Sequence, residues 1–350
     1  MSGRLLSNRW RLGDMLGQGG MSAVYEATHR NGKRVAIKLL RGDLQSNERT
    51  RGRFMREGHI ANQVRHEGVV AVLDDDMTDD GAVFLVMELL EGMNVEQYAA
   101  ACGGRIPQGE ILAIADAVLD VLVAAHAKHI IHRDIKPSNL FLTTGGKLKL
   151  LDFGIASFRE TSGLTTATRE GALLGTPGFM APEQARGRWK NVDERTDLWA
   201  LGALMFRLLT GRLVYETENP NEYVVVASTE SVPSLATIDP SLPGGIVDLV
   251  DRALKSDPAE RFPTARDMQA AVRTEMKRFA PCRIPIPARF EPGGTLDESI
   301  STNVPNELPD RTSSGAFDPI GRMVRALRPL LPYAATGILT ALAFLYLTGL

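Results

Sequence analysis

Apolar positions early in the chain fall into three short runs, residues 10–16, 23–29 and 34–40, partly alternating and separated by glycine-containing breaks. Alternation with a period of two predicts strands. Asn31-Gly32 separates the second run from the third, and both residues accept positive φ at little cost, so the dipeptide predicts a hairpin. The period then changes. Phe54, Gly58, Ala61 and Val64 recur at helical spacing, and residues 82–89 form an apolar run that predicts a buried strand. Beyond residue 92 helical spacing dominates: residues 111–126 have almost no polar break, as in a buried helix, and 246–254 and 265–276 predict amphipathic helices. A β-rich segment, 10–91, followed by an α-rich one, 92–280, predicts a bilobal α+β enzyme with a cleft between the lobes.

Two further segments differ in kind. Prolines at 281, 285, 287, 292, 305, 309 and 319 recur among Ser, Thr, Gly and acidic residues, so 281–328 predicts a flexible linker. Residues 329–350 carry no charge and are rich in Leu, Ala, Ile and Phe. As a helix, 330–350 spans on the order of 30 Å, about the hydrocarbon core of a bilayer. Arg322, Arg325 and Arg328 stand just before it and no basic residue follows. The positive-inside rule then predicts a single-pass transmembrane helix in the cell membrane, in contact with lipid, with the preceding domain cytoplasmic. Residues 1–11 are polar and lack the apolar stretch of a secretory signal.

Composition narrows the classes. The 350 residues are 44% apolar and 23% charged, ordinary for a globular protein. A net charge of −2 supplies no basic field for nucleic acid, so none is expected as a partner. Cys102 and Cys282 lie far apart in no metal-binding or disulfide pattern and are expected to be reduced thiols.

The candidate chemistry is phosphate handling. Gly17-Gln18-Gly19-Gly20-Met21-Ser22 lies between two strand-like runs, where glycines let backbone N–H groups approach phosphate oxygens. It is neither a dinucleotide fingerprint, since a strand follows it, nor a Walker sequence. Lys38 in Val35-Ala36-Ile37-Lys38 either reaches water along its stem or is buried with a carboxylate, for which Glu57 on the following helix is the candidate. More specific is His132-Arg133-Asp134-Ile135-Lys136-Pro137-Ser138-Asn139, followed by Asp152-Phe153-Gly154. Phosphoryl transfer to a hydroxyl needs positioning and charge neutralisation. Asp134 suits orientation of the hydroxyl and acceptance of its proton. Lys136 suits the charge on the γ-phosphate, and Asn139 and Asp152 offer hard oxygen ligands to Mg²⁺.

With these motifs the chain resembles the eukaryotic-like protein kinases, most closely the bacterial serine/threonine members, and the roles above are those of that family's phosphoryl-transfer template. The resemblance runs from about residue 10 to 280 and includes Gly175-Thr176, Ala181-Pro182-Glu183, Asp197 and Arg261. It implies a protein kinase fold, ATP and Mg²⁺ as cofactors, and Ser/Thr residues of proteins as substrates. It also implies a loop from Leu16 to Ser22 over the phosphates, Val24, Ala36 and Phe141 around the adenine, Met87 at the back of the pocket, and the hinge Glu88–Leu90 bonding the adenine edge. Glu183 with Arg261 is an implied buried ion pair, Asp197 an implied brace for the catalytic loop, and His132 and Phe153 implied packing residues. Ser22 in place of the third loop glycine and the small Ala61 depart from the family pattern. Thr165, Thr166 and Thr168 are implied phosphorylation sites, whose phosphate would meet Arg133. A second copy of the chain is the expected partner for autophosphorylation in trans. Related kinases often carry an extracellular sensor; with the chain ending at Leu350, a tail-anchored form is expected.

Overall fold

Lys38 lies in Arg34–Leu40, a strand buried on both faces, which is why apolar residues occupy consecutive positions on either side of the lysine. In the computed structural model of the chain, which describes residues 2–78, 80–153, 177–217, 219–279 and 282–285, this strand is the fourth of six. They are β1 (Leu5–Leu6), β2 (Trp10–Gln18), β3 (Ser22–His29), β4 (Arg34–Leu40), β5 (Val72–Met77) and β6 (Val83–Met87). Every pairing is antiparallel, in the order β1-β2-β3-β4-β6-β5. Because side chains alternate along a strand, Val35, Ile37 and Leu39 join Leu6, Trp10, Leu12, Phe84 and Val86 in one small core. Ala36 and Leu40 face the other way, onto Phe54, Val83, Leu85 and Met87. Lys38 shares their parity, so the strand delivers its ammonium to that second face.

Helix α1 (Glu48–Val64) covers the second face. Asn47 caps it by accepting a hydrogen bond from the Thr50 N–H at 3.1 Å. Its buried residues are Phe54, Gly58, Ala61 and Val64, the four that the spacing selected. A Cβ on Gly58 would lie 2.9 Å from Leu85 Cδ2, so glycine lets the helix lie close against β6. That closeness sets the height of Glu57 over the sheet.

The second lobe begins with a three-stranded antiparallel sheet, β7 (Gly92–Asn94), β8 (Leu140–Thr143) and β9 (Leu148–Leu150). Around it are α2 (Val95–Ala101), α3 (Gln108–His126), α4 (Pro182–Ala185), α5 (Glu194–Thr210), α6 (Pro220–Thr229), α7 (Leu235–Ile238), α8 (Gly244–Ala253) and α9 (Ala265–Met276). The helices α3 and α5 are buried nearly all round and form the axis of this lobe, with Leu119, Leu122, Trp199 and Phe206 in one continuous core. Gly202 permits a close crossing of α5 on α8, since a Cβ there would stand 2.7 Å from Ala253 Cβ. The α9 helix packs on α3, where Arg273 Nε donates to Asp116 Oδ1 at 2.7 Å. The architecture is thus a β-rich lobe followed by a helical one.

Two strands depart from the sequence expectation. Leu5–Leu6 pairs with β2 and buries Leu6, within residues that looked only polar. Strand β5 carries Asp74, Asp75 and Asp76, a poor strand sequence. It forms because β6 presents a free edge and because Arg9 pairs with Asp74 and Asp76, and His59 with Asp75. Gly154, Thr165, Thr166, Thr168, Gly175, Thr176, most of the expected linker and the apolar segment 329–350 lie outside the described residues. Among the described residues no helix is long and apolar enough to cross a membrane.

Candidate active site

The two lobes meet at Lys38. Its Nζ lies 2.7 Å from Glu57 Oε1 on α1 and 2.7 Å from Asp152 Oδ1, which follows β9 in the second lobe. The lysine side chain is 8% exposed, so the choice left open by the sequence resolves to the buried, paired form. Burial alone would lower the pKa of Lys38, but Asp152 and Glu57 outweigh it and hold the ammonium above its ordinary value. Burial, reinforced by Asp152 and opposed by Lys38, raises the Glu57 carboxyl to about 7. Asp152 is held below the ordinary carboxylate range because Lys38 overcomes the cost of burial. One cation thus serves two carboxylates, and the surplus negative charge favours a further cation at Asp152.

The residues of the catalytic loop converge on the same place. Lys136 Nζ is 3.0 Å from Asp134 Oδ2. Asn139 Nδ2 donates to Asp134 Oδ2 and to the Asp134 carbonyl, each at 2.8 Å, which leaves Asn139 Oδ1 as an acceptor for a metal. The Asn139 carbonyl accepts the Leu151 N–H at 2.8 Å and so ties the loop to the residue before Asp152. Asp152 has φ 47° and Arg133 φ 68°, left-handed values that non-glycine residues adopt only when neighbours enforce them.

Asp197, on α5 and fully buried, enforces one of them. Its Oδ1 accepts the Arg133 N–H at 2.8 Å, and its Oδ2 accepts the His132 N–H and His126 Nε2–H, each at 2.9 Å. Burial works against the charge of Asp197, but these bonds, with His126 first, bring its pKa below the ordinary range. His132 is occupied structurally: Nε2–H donates to the Leu151 carbonyl at 3.0 Å, Nδ1 accepts the Asp134 N–H at 3.3 Å, and the ring packs on Phe153 at 4.8 Å. Below the loop, Glu183 receives two bonds from Arg261, 2.9 Å to Nη1 and 2.8 Å to Nη2, plus 2.7 Å from Thr196 Oγ1. The remaining Arg261 donors reach the carbonyls of Lys255, Arg195 and Ser256, so this buried pair is well satisfied.

The residues expected to enclose a nucleotide base lie on two sheets. Val24, Ala36, Met87 and Leu90 belong to one cluster, with Leu89 and Leu151. Phe141 projects from the face of β8 opposite to buried Leu140 and Leu142. Leu16 is 43% exposed at the end of β2, and Gly17 and Gln18 pair with Val24 and Ala23. The turn closes with the Gly19 N–H on the Ser22 carbonyl at 2.8 Å, around Gly20 and Met21. None of Gly17, Gly19 and Gly20 has positive φ, and a Cβ at Gly17 or Gly20 would meet nothing within 4 Å. The Glu88 N–H is bonded to the Ala71 carbonyl at 3.0 Å.

Several residues of the site escaped the sequence reading. His126 is a polar residue buried in the last turn of a largely apolar helix, and its position there was its only local signal. Gln184 Nε2 donates to the Arg133 carbonyl at 3.1 Å, and Lys149 Nζ reaches Glu88 Oε1 at 2.6 Å. The Asp152 oxygens and Asn139 Oδ1 suit Mg²⁺, a hard ion that usually takes one or two protein oxygens beside phosphate and water. The described residues contain no cluster of three His, Cys, Asp or Glu for an all-protein metal cage.

Residues 10–272 match the protein kinase domain family. The chain is 34% identical over 273 residues to the serine/threonine-protein kinase PrkC of Bacillus subtilis, covering 78% of this chain and 41% of that protein. It is 37% identical over 275 residues to the probable serine/threonine-protein kinase PknB of Corynebacterium glutamicum, covering 76% of this chain and 42% of that protein. The chain thus spans less than half the length of either relative. Among solved structures, the PknI kinase domain of Mycobacterium tuberculosis is similar with a TM-score of 0.60 and 27% identity, covering 79% of this chain and 98% of that one.

Proposed function

We propose, from the premise that this chain belongs to the protein kinase domain family, that it is a serine/threonine protein kinase transferring the γ-phosphate of ATP to hydroxyls of proteins. The observation that carries the reading is the buried Lys38 ammonium held 2.7 Å from both Glu57 and Asp152, a joint between the lobes that fixes a cation beside Asp152. Lys38, steadied by Glu57, binds the α- and β-phosphates. Asp134 orients the substrate hydroxyl and accepts its proton, and Lys136, 3.0 Å away, offers positive charge to the γ-phosphate. Asn139 and Asp152 hold Mg²⁺, which when bound offsets the negative charge of the phosphates. Val24, Ala36, Met87, Leu90 and Phe141 enclose the adenine, and the loop from Leu16 to Ser22 covers the phosphates. Lys136, two residues after Asp134, is the serine/threonine form of the loop.

The test is phosphate transfer by purified protein to a generic protein substrate, with phosphoamino-acid analysis. Phosphoserine and phosphothreonine are expected with the wild type and not with Asp134→Asn. A chain that binds nucleotide without transfer would instead be a signalling scaffold.

Two finer readings accompany this one. The threonines at 165, 166 and 168 are the sites of activating autophosphorylation, carried out in trans by a second copy. The uncharged segment 329–350, preceded by three arginines, anchors the chain in the cell membrane with the kinase cytoplasmic.

A further inference from the structure

Lys149 plays no part in the chemistry above, yet it holds three segments around the nucleotide cleft. It lies on β9 directly opposite Phe141 on β8, so the two side chains share one face of that sheet. From there its Nζ reaches Glu88 Oε1 at 2.6 Å and the Val69 carbonyl at 3.3 Å. The same Glu88 oxygen accepts the Ala71 N–H at 2.8 Å, and the Glu88 N–H donates to the Ala71 carbonyl at 3.0 Å. The Lys149 side chain is 15% exposed and that of Glu88 29%, so the pair is partly shielded from water. Backbone bonds reinforce the junction: Leu150 N–H to the Gly68 carbonyl at 2.6 Å and Val70 N–H to the Leu150 carbonyl at 3.2 Å.

From this geometry we infer that Lys149 is a positioning residue for the adenine end of the nucleotide. It acts through the Glu88 carboxylate to fix the hinge, Glu88 to Leu90, at a set height above Phe141. The inference deepens the kinase reading and rests on it. Without the ammonium, Glu88 keeps its bonds to Ala71 but loses its side-chain bond to β9. The hinge can then move relative to Phe141, and the slot for the base is no longer preformed. The phosphate groups, held by Lys38 and Asp152, are untouched, so the loss falls on nucleotide binding and not on transfer.

The experiment compares wild type, Lys149→Met, Lys149→Arg and Glu88→Gln in steady-state kinetics with ATP and in binding of adenosine and of inorganic tripolyphosphate. Loss of one charge-assisted hydrogen bond predicts about a tenfold higher KM for ATP in Lys149→Met, and about tenfold weaker adenosine binding. The kcat and the affinity for tripolyphosphate should stay within about twofold of wild type. Lys149→Arg should restore KM. Glu88→Gln keeps an acceptor for the Ala71 N–H while removing the charge, and should raise KM for ATP and weaken adenosine binding in the same direction as Lys149→Met, even if that variant folds poorly. Unchanged KM and adenosine affinity in Glu88→Gln, or a fall in kcat at constant KM, would overturn the inference. A wild-type protein without phosphate transfer would instead overturn the kinase reading, whatever the variants bind.

Discussion

Lys38 in the first lobe and Asp152 in the second hold each other at 2.7 Å, so the carboxylate suited to a metal is anchored by the cation suited to the phosphates. Asp152 stands at φ 47°, a value Asn tolerates at least as well as Asp. Asp152→Asn should therefore fold like the wild type while losing a charged metal ligand. Transfer should fall by at least about a hundredfold while the fold persists. Retention of more than about a tenth of the wild-type rate would remove Asp152 from the metal site.

Lys38→Met takes away the shared cation and leaves Glu57 and Asp152 facing each other without it. The phosphates lose their anchor, and the rate should drop by about two to three orders of magnitude. Near-normal turnover of the purified variant would show that another group anchors the phosphates.

Glu57 should give the ligand-free protein a signature in pH. Its folded carboxyl is raised to about 7 from an ordinary value of 4.5. Between those values the folded chain retains a proton that the unfolded chain has released, so stability falls as pH rises through that window. Glu57→Gln has no proton to lose and should flatten the slope. Thermal unfolding at several pH values between 5 and 8 makes the comparison, and parallel curves for the two proteins would contradict the raised pKa.

The buried pair of Glu183 and Arg261 is a matter of stability. Arg261→Ala leaves a buried carboxylate with only Thr196 as a side-chain donor and should cost about 3–5 kcal/mol. Arg261→Lys recovers the charge but not the paired geometry and should fall between. Urea denaturation midpoints rank the three proteins; an Arg261→Ala midpoint equal to wild type would show that the pair contributes nothing.

What the sequence revealed follows from the range over which each signal acts. Strands β2 to β4 and the buried face of α1 were legible because burial imposes a short period on consecutive residues. The α3 helix was anticipated from residue 111, whereas it starts at Gln108: its first turn is polar and carries no periodic signal. Strand β5 was missed because three aspartates contradict strand propensity and are offset by Arg9 and His59, distant in sequence. In the site, ordered motifs named Asp134, Asn139 and Asp152, but a motif says nothing of who holds whom. The bonds from His126 to Asp197 and from Lys149 to Glu88 join residues far apart in the chain, and neither partner signals the other locally.

Autophosphorylation is the next expectation. Incubation with ATP and Mg²⁺ should place phosphate on one or more of Thr165, Thr166 and Thr168, and transfer to substrate should rise in parallel. If fully active enzyme were found unmodified there by mass spectrometry, these threonines would not be the switch. A rate of modification that rises with protein concentration would identify transfer between copies.

The membrane expectation rests on sequence alone, and its test separates anchoring from catalysis. Residues 329–350 carry no charge, and Arg322, Arg325 and Arg328 precede them. The kinase fold is complete without this segment, because α9 closes the helical core against α3 at Met276. Residues 1–285 alone should therefore be soluble and active. The full chain should resist alkaline carbonate extraction from membranes. Replacing Leu339 and Leu342 with Arg puts two charges near the centre of the span, each costing about 2.5–3.5 kcal/mol of insertion free energy. That double variant should move to the soluble fraction with its kinase activity intact. Should it stay in the membrane fraction, or should the wild-type chain be soluble without detergent, the segment is not a span. The tail would then be a packing or partner-binding helix.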